Sequence, residues 1–358
     1  MKFTELRFEM NLDTIQINYI LGVGRSGTTL LLRELGKSKK VVSNPESLFI
    51  LDFLYLWEPN KRLNHSELDF FFTTIFKLKT GRFVHLELWK IDKEKLSKEA
   101  KANPTIRFID LIKLVNLNAE YGLNTLNPTM ILDKNPPYTR HFNQLRKLDE
   151  NSKFIGIYRS YLDNIISRNK FKLDAVNHPY FHALIWCQYN ELLLEYAKQF
   201  PEKLKLMKYE DLASKPLENL QSARDFLNIS SELKSKDEIP SLENLLNELS
   251  TKEEKNHFLE MQGKVFTKID TAAIGKSTNP FSARQLNAVH FICAQTNKKL
   301  GYESVEFQKP DILQRLFIAW LKLFMSFVDL KHKVYYESNH KVRNLVKFTF
   351  KPWTIFRQ

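Results

Sequence analysis

Cysteine is almost missing. Cys187 and Cys293 are the only two in 358 residues, too few for a disulfide framework or a cysteine-based zinc site, and a reducing compartment is the expectation. No run approaches the roughly 18–20 uninterrupted apolar residues of a membrane span. Residues 1–14, MKFTELRFEMNLDT, mix acids into the positions where a signal peptide needs an apolar core, so a cytoplasmic location is expected rather than secretion. Ten Gly and thirteen Pro are spread thinly, with no Gly/Ser linker, low-complexity tract or internal repeat. Acids are the scarcer charge: 41 Asp and Glu stand against 54 Lys and Arg, a net charge of +13. That excess points to a polyanionic partner, such as nucleic acid, an anionic membrane or a phosphate-rich small molecule. No nucleic-acid-binding motif accompanies it, so no nucleic-acid partner is expected.

The chain is 43% hydrophobic and 13% aromatic, enough for a sizeable core and against wholesale disorder. Residues 17–23, INYILGV, are nearly continuous β-formers and read as a short buried strand. A Gly-rich turn follows, and then a helical pattern over 28–35. Residues 130–133, 154–158 and 204–209 read as further strands, with helices over 181–198, 210–227, 241–260 and 282–299. Strands alternating with helices predict an α/β fold with a central, mostly parallel sheet. Residues 60–127 lack a strand rhythm and read as a helical insertion. Its Leu68-Asp69-Phe70-Phe71-Phe72 run is either core or cleft lining. The chain thus divides into one long domain over 15–305 and a basic extension over 306–358.

Gly22-Val23-Gly24-Arg25-Ser26-Gly27-Thr28-Thr29 lies between strand and helix, as an anion-binding loop must. Glycines let successive N–H groups curl toward one anion, and the helix N-terminus adds partial positive charge. The Walker A pattern is nearly met, but Thr28 stands where its Lys belongs. A triphosphatase or nucleotide kinase would lose its phosphate-reaching lysine, whereas Arg25 can supply a cation from within the loop. Lys153-Phe154-Ile155-Gly156-Ile157-Tyr158-Arg159 is a second strand ending in a cation, with Ser167 eight residues on, about two turns along the next helix.

These two segments resemble the sulfotransferase family that uses 3′-phosphoadenosine 5′-phosphosulfate (PAPS). Gly22 to Thr29 match its G-x-x-[RK]-[ST]-G-[TS]-[TS] loop position by position. The resemblance implies a P-loop NTPase-like three-layer α/β/α fold. It also implies that Gly24, Arg25, Ser26, Gly27, Thr28 and Thr29 grip the 5′-phosphosulfate, and that Arg159 and Ser167 hold the 3′-phosphate. One departure is local: Ser160 and Tyr161 follow Arg159 where the family often has Asp-Pro.

An acceptor hydroxyl must lose its proton as it attacks sulfur, so a base is needed near the loop. Glu46, in Ser43-Asn44-Pro45-Glu46-Ser47, lies just past the first helix, where the tyrosylprotein and several carbohydrate branches of the family carry a catalytic Glu. The alternative is a helix cap after Pro45. Lys134, in Asp133-Lys134-Asn135-Pro136, matches a D-K-x-P strand end of the Golgi-type branches; with Arg25 as a second catalytic cation it would stabilise the equatorial and leaving oxygens. Tyr209, in Tyr209-Glu210-Asp211-Leu212, lies near the nucleotide in the family or is a packing aromatic. Ile274-Gly275-Lys276-Ser277-Thr278 reads as a lid bringing Lys276 and Ser277 to phosphate. The expected products are a sulfated hydroxyl acceptor (a carbohydrate, lipid or other small molecule) and adenosine 3′,5′-bisphosphate, with no metal required. The rivals are a degenerate P-loop kinase and a non-catalytic, membrane-associated nucleotide-binding protein.

Residues 311–358 hold nine Lys or Arg against Asp311, Asp329 and Glu337, a net +6. Within Ile312–Leu330, Leu316, Phe317, Ile318, Trp320, Leu323, Phe324 and Phe327 follow a helical pattern that Trp353 and Phe356 extend. Two readings stand: a helix packed on the domain, or one lying at a membrane surface.

Overall fold

A computed structural model describes residues 11–80, 83–84, 86, 89–120, 127–174, 176–235 and 278–338, with scattered positions between 239 and 275. Strand β1 (Gln16–Leu21) leads into helix α1 (Thr28–Gly36) and the two-residue strand β2 (Val41–Val42). Helices α2 (Phe49–Phe53) and α3 (His65–Ile75) come next, then a small hairpin of β3 (Lys79–Thr80) and β4 (Phe83–Val84). Helices α4 (Lys93–Ala102) and α5 (Phe108–Leu117) lead back to the sheet at β5 (Met130–Lys134). The chain continues through α6 (Phe142–Leu148), β6 (Phe154–Tyr158), α7 (Tyr161–Phe171), α8 (Pro179–Gln199), β7 (Leu204–Lys208), α9 (Tyr209–Ser214) and α10 (Pro216–Leu227). Two later helices are α11 (Ala283–Lys299) and α12 (Ile312–Glu337).

The main sheet runs β2-β5-β1-β6-β7, and every pairing in it is parallel. β1 therefore lies at the centre, with β5 on one side and β6 on the other. β1 and β5 are buried on both faces and apolar for much of their length, as in parallel sheets, with Asn18 inside β1 and Asp133 and Lys134 closing β5. The side chains still alternate. Ile17, Tyr19 and Leu21 join one core with Phe142, Phe154 and Leu193, while Ile20 joins another with Leu31, Leu35, Leu132, Ile155 and Leu212. A third cluster unites α7, α8, α11 and α12 through Ile165, Trp186, Val289 and Leu321.

The expected strands and most of the expected helices are present. The helix expected over 210–227 divides at Lys215, whose backbone (φ −130°, ψ 63°) leaves the helical region before Pro216, because a proline ring crowds the residue before it. Tyr209 starts α9 rather than ending the strand. The helix expected over 241–260 falls mostly outside the described residues, as do Trp353 and Phe356. The helices between β2 and β5 begin at Phe49, earlier than residue 60, and α3 to α5 continue the core. Phe53 and Phe71 rings lie 4.8 Å apart, and Trp57 and Phe108 5.5 Å apart. Leu68 and Phe71 are buried there, Phe70 and Phe72 are only partly covered, and Asp69 is exposed.

Phe71 is thus part of the core and does not line an open cleft. Phe71→Ala is expected to cost about 3–5 kcal/mol in urea denaturation, and Phe72→Ala clearly less; equal costs would contradict this packing.

Candidate active site

In an open parallel sheet the crevice for a ligand lies beyond the carboxyl ends of the strands, where their order reverses. Here β1 is that point, and the loop 22–27 leaves its end. Gly22 has φ 149°, and a Cβ there would lie 2.5 Å from the Ile157 carbonyl oxygen. Its N–H donates to Thr139 Oγ1 at 2.9 Å. Gly27 has φ 95°, and a Cβ would lie 2.5 Å from Tyr209 Cδ2. Between them Arg25 takes φ 74°, and Ser26 N–H donates to the Val23 carbonyl at 3.2 Å. The loop is wound tightly onto the start of α1, whose first N–H groups have no intrahelical acceptor.

On the β5 side of the loop, Lys134 ends its strand at 1% exposure. Its ammonium donates to Thr29 Oγ1 at 2.8 Å and ion-pairs with the Glu46 carboxylate. Glu46 does not cap a helix: α2 starts at Phe49 with Leu48 at its N-cap. The Glu46 side chain is 41% exposed, so this carboxylate touches both the buried cation and solvent. Behind it, Asp133 accepts from Tyr138 Oη at 2.8 Å and from the Lys134 N–H at 2.7 Å. Burial pushes the Asp133 carboxyl up to about 6, against the pull of those hydrogen bonds and of Lys134.

On the β6 side, Arg159 follows the strand end. Its guanidinium lies 4.6 Å from the centre of the Tyr209 ring and 3.4 Å from Asp163 Oδ2, and Trp186 Nε1 donates to its carbonyl at 2.9 Å. Arg25 Nε donates to Ser167 Oγ at 3.0 Å, with the guanidinium over the Phe171 ring. The two expected phosphate-binding groups are therefore contiguous, and Arg25 reaches toward α7 rather than toward Lys134. Burial lowers the Arg25 pKa, as do Arg159 and Arg168, while Glu46 acts the other way. Such bunched cations favour a bound anion.

The expected side chains do not all face this crevice. Ser26 is fully buried, and its Oγ accepts from Asn164 Nδ2 at 3.1 Å. Thr28 is buried beneath Gly22. Both contribute to the site through the backbone path of the loop. Tyr209 packs between Gly27 and Arg159, so it shapes the crevice wall. Lys276 and Ser277 lie outside the described residues, although the Gly275 N–H donates to Asp163 Oδ2 at 3.0 Å.

Several supports of the loop and of Arg159 are not evident from the motifs. Asn164 and Arg168, one turn apart on α7, both donate to the Gly24 carbonyl, at 3.0 and 3.2 Å. Arg168 also pairs with Asp174, which accepts from His182 Nδ1 at 2.6 Å. Burial would raise the Asp174 pKa, but Arg168 and His182 outweigh it and hold the carboxyl below its usual range. The departure at Ser160 also has its compensation, since the Ser160 N–H donates to Glu210 Oε1 at 2.9 Å and Tyr302 holds the other oxygen. Polar residues at i, i+4 beside Ser167 were the available signal for Asn164 and Arg168.

A model of the sulfotransferase family matches residues 19–232, more than half of the chain. The chain belongs to the sulfotransferase family. Among solved structures it is similar to the sulfotransferase domain from the Synechococcus PCC 7002 olefin synthase, at 21% identity. That match has a TM-score of 0.51 and covers 80% of this chain and 95% of that one. It is also similar to the sulfotransferase domain from the curacin biosynthetic pathway, at 22% identity and TM-score 0.47, covering 81% and 99%. At 21% identity the first likeness shows the fold alone. No curated protein matches the chain. The sulfotransferase match spans the loop, Glu46, Lys134, Arg159, Ser167 and Tyr209, and ends before α11 and α12.

The raised Asp133 pKa sets a pH dependence. The unfolded chain releases this proton near 3.8, and the folded one keeps it to about 6. Stability should therefore fall as pH rises between those values, and Asp133→Asn should remove that part of the decline. Denaturation midpoints measured across this window check it; parallel pH profiles for the two proteins would rule it out.

Proposed function

We propose that this sulfotransferase takes its sulfuryl group from PAPS and passes it to an acceptor hydroxyl, releasing adenosine 3′,5′-bisphosphate. The observation that carries this reading is the chain of contacts Glu46–Lys134–Thr29 at the anion loop, facing Arg25, Ser167 and Arg159 across it. A nucleotide with phosphate at both 3′ and 5′ positions matches cations on both sides of one loop.

Each residue then has a task that follows from its place. The loop N–H groups and the helix end hold the 5′ side, and Arg159 with Ser167 offers a planar fork and a hydroxyl to the 3′-phosphate. Arg25, already on Ser167, lies between the two. Glu46 accepts the proton from the acceptor hydroxyl. The acceptor oxygen forms its bond to sulfur as the sulfur–oxygen bond to the phosphate breaks, and the proton stays on the carboxylate. An ammonium has three donors, and Lys134 uses two on Thr29 and Glu46. The third is left for an oxygen of the transferring or departing group, whose growing charge it stabilises. Thr28 at the Walker lysine position argues against the kinase alternative.

Two measurements test the assignment. With ³⁵S-labelled PAPS and fractionated cell extract as acceptor source, Glu46→Gln should slow label transfer by about 10²–10⁴-fold while adenosine 3′,5′-bisphosphate binding is kept. Transfer at the native rate would remove Glu46 as the base. In calorimetry Arg159→Ala should weaken that binding by about tenfold or more, without a matching loss of thermal stability. Undiminished binding would reject Arg159 as a phosphate ligand.

A further inference from the structure

Among the described residues, helix α12 is covered on one side only. Ile318 and Leu321 are buried among the side chains of α8 and α11, and Gln314 Nε2 donates to Tyr180 Oη at 2.7 Å. Asp329 turns inward to Arg140 at 2.7 Å, and Tyr335 Oη donates to Asp52 at 3.2 Å. The opposite side is apolar. Leu313, Leu316, Trp320, Leu323, Leu330 and Val334 recur at helical spacing, with Leu316 62%, Trp320 53% and Leu323 71% exposed. Single exposed leucines need no explanation, but a continuous stripe of this kind marks an interaction surface.

Charge selects the occupant. Arg315, Lys322 and Lys333 are exposed along this helix. Of its acids, Asp329 faces the body, Asp311 caps the N-terminus and pairs with Arg284, and Glu337 comes only at the far end. Residues 339–358 add Lys341, Arg343, Lys347, Lys351 and Arg357 and no acid. A second copy of the helix would bring cations against cations, without the mixed charges that flank a coiled-coil seam. An anionic lipid surface supplies both an apolar layer and opposite charge. We propose that the outer face of α12 docks the protein on anionic membranes, lying in the headgroup region with Trp320 and the leucines inserted and Arg315, Lys322 and Lys333 at the phosphates. Among the described residues no helix is long and apolar enough to cross a membrane, so the contact is peripheral.

The test uses the full chain and two kinds of vesicle: phosphatidylcholine alone, and phosphatidylcholine with about one-third phosphatidylglycerol. Flotation should recover the protein with the anionic vesicles, at least about tenfold more than with neutral ones, and added salt should weaken the binding. Leu316→Glu/Leu323→Glu should lower the anionic partition at least about tenfold with an unchanged melting temperature. Should that variant melt lower, Lys322→Glu carries the test alone, with an expected loss of about fivefold or more. Three outcomes overturn the proposal. One is no partition of the native chain into either vesicle. Another is partition that survives these variants but is lost in Lys341→Glu/Arg343→Glu, which moves the contact to the final segment. The third is a dimer in sedimentation, broken by Leu323→Glu, from a chain that does not bind lipid.

Discussion

A lysine ammonium at the end of a central strand, with its residue 1% exposed, is held in place only if other groups take over the work of water. Lys134 finds them in Thr29, from the helix after the anion loop, and in Glu46, from the segment beyond β2. That requirement ties three distant stretches together. The parallel register pairing Ile20 with Lys134 brings the loop beside the ammonium, and the adjacent register of β6 brings Arg159 to the other side. The chemistry is thus a consequence of strand order. A cation that needs an anionic partner in the free protein is also one that an incoming anion can recruit.

The loop was legible because its chemistry is local: glycines at two of its three positive-φ positions and hydroxyl residues opening the helix lie within eight consecutive residues. The Arg159–Ser167 spacing was legible for the same reason, being a strand end and two turns of one helix. What could not be read depends on packing between distant segments. Asn164 and Arg168 hold the Gly24 carbonyl, but only the folded α7 shows that they face the loop. Strand β2 has two residues, too few for any periodicity, and exists because β5 pairs with it. Arg25 matched its family position, yet which half of the site its long side chain reaches is decided by Ser167 and Phe171.

The net charge of +13 divides along the same lines. Part of it lies around the crevice, with Lys134 on one side of the loop and Arg25 and Arg159 on the other, and part lies along α12 and the residues after it. The family match ends at residue 232, and α12 lies outside the matched portion. It is nevertheless built into the protein, since its C-terminal end rests on Asp52 and on the His141 ring, close in sequence to Glu46 and Lys134.

The central claim is that a single crevice recognises phosphate at both ends of one nucleoside. The most direct measurement is calorimetry of the native protein, without Mg²⁺, comparing adenosine 3′,5′-bisphosphate with adenosine 5′-monophosphate. The 3′-phosphate should tighten binding by about tenfold or more, the worth of one charge-assisted contact. Equal affinity for the two, or stronger binding of ATP with Mg²⁺, would contradict the account.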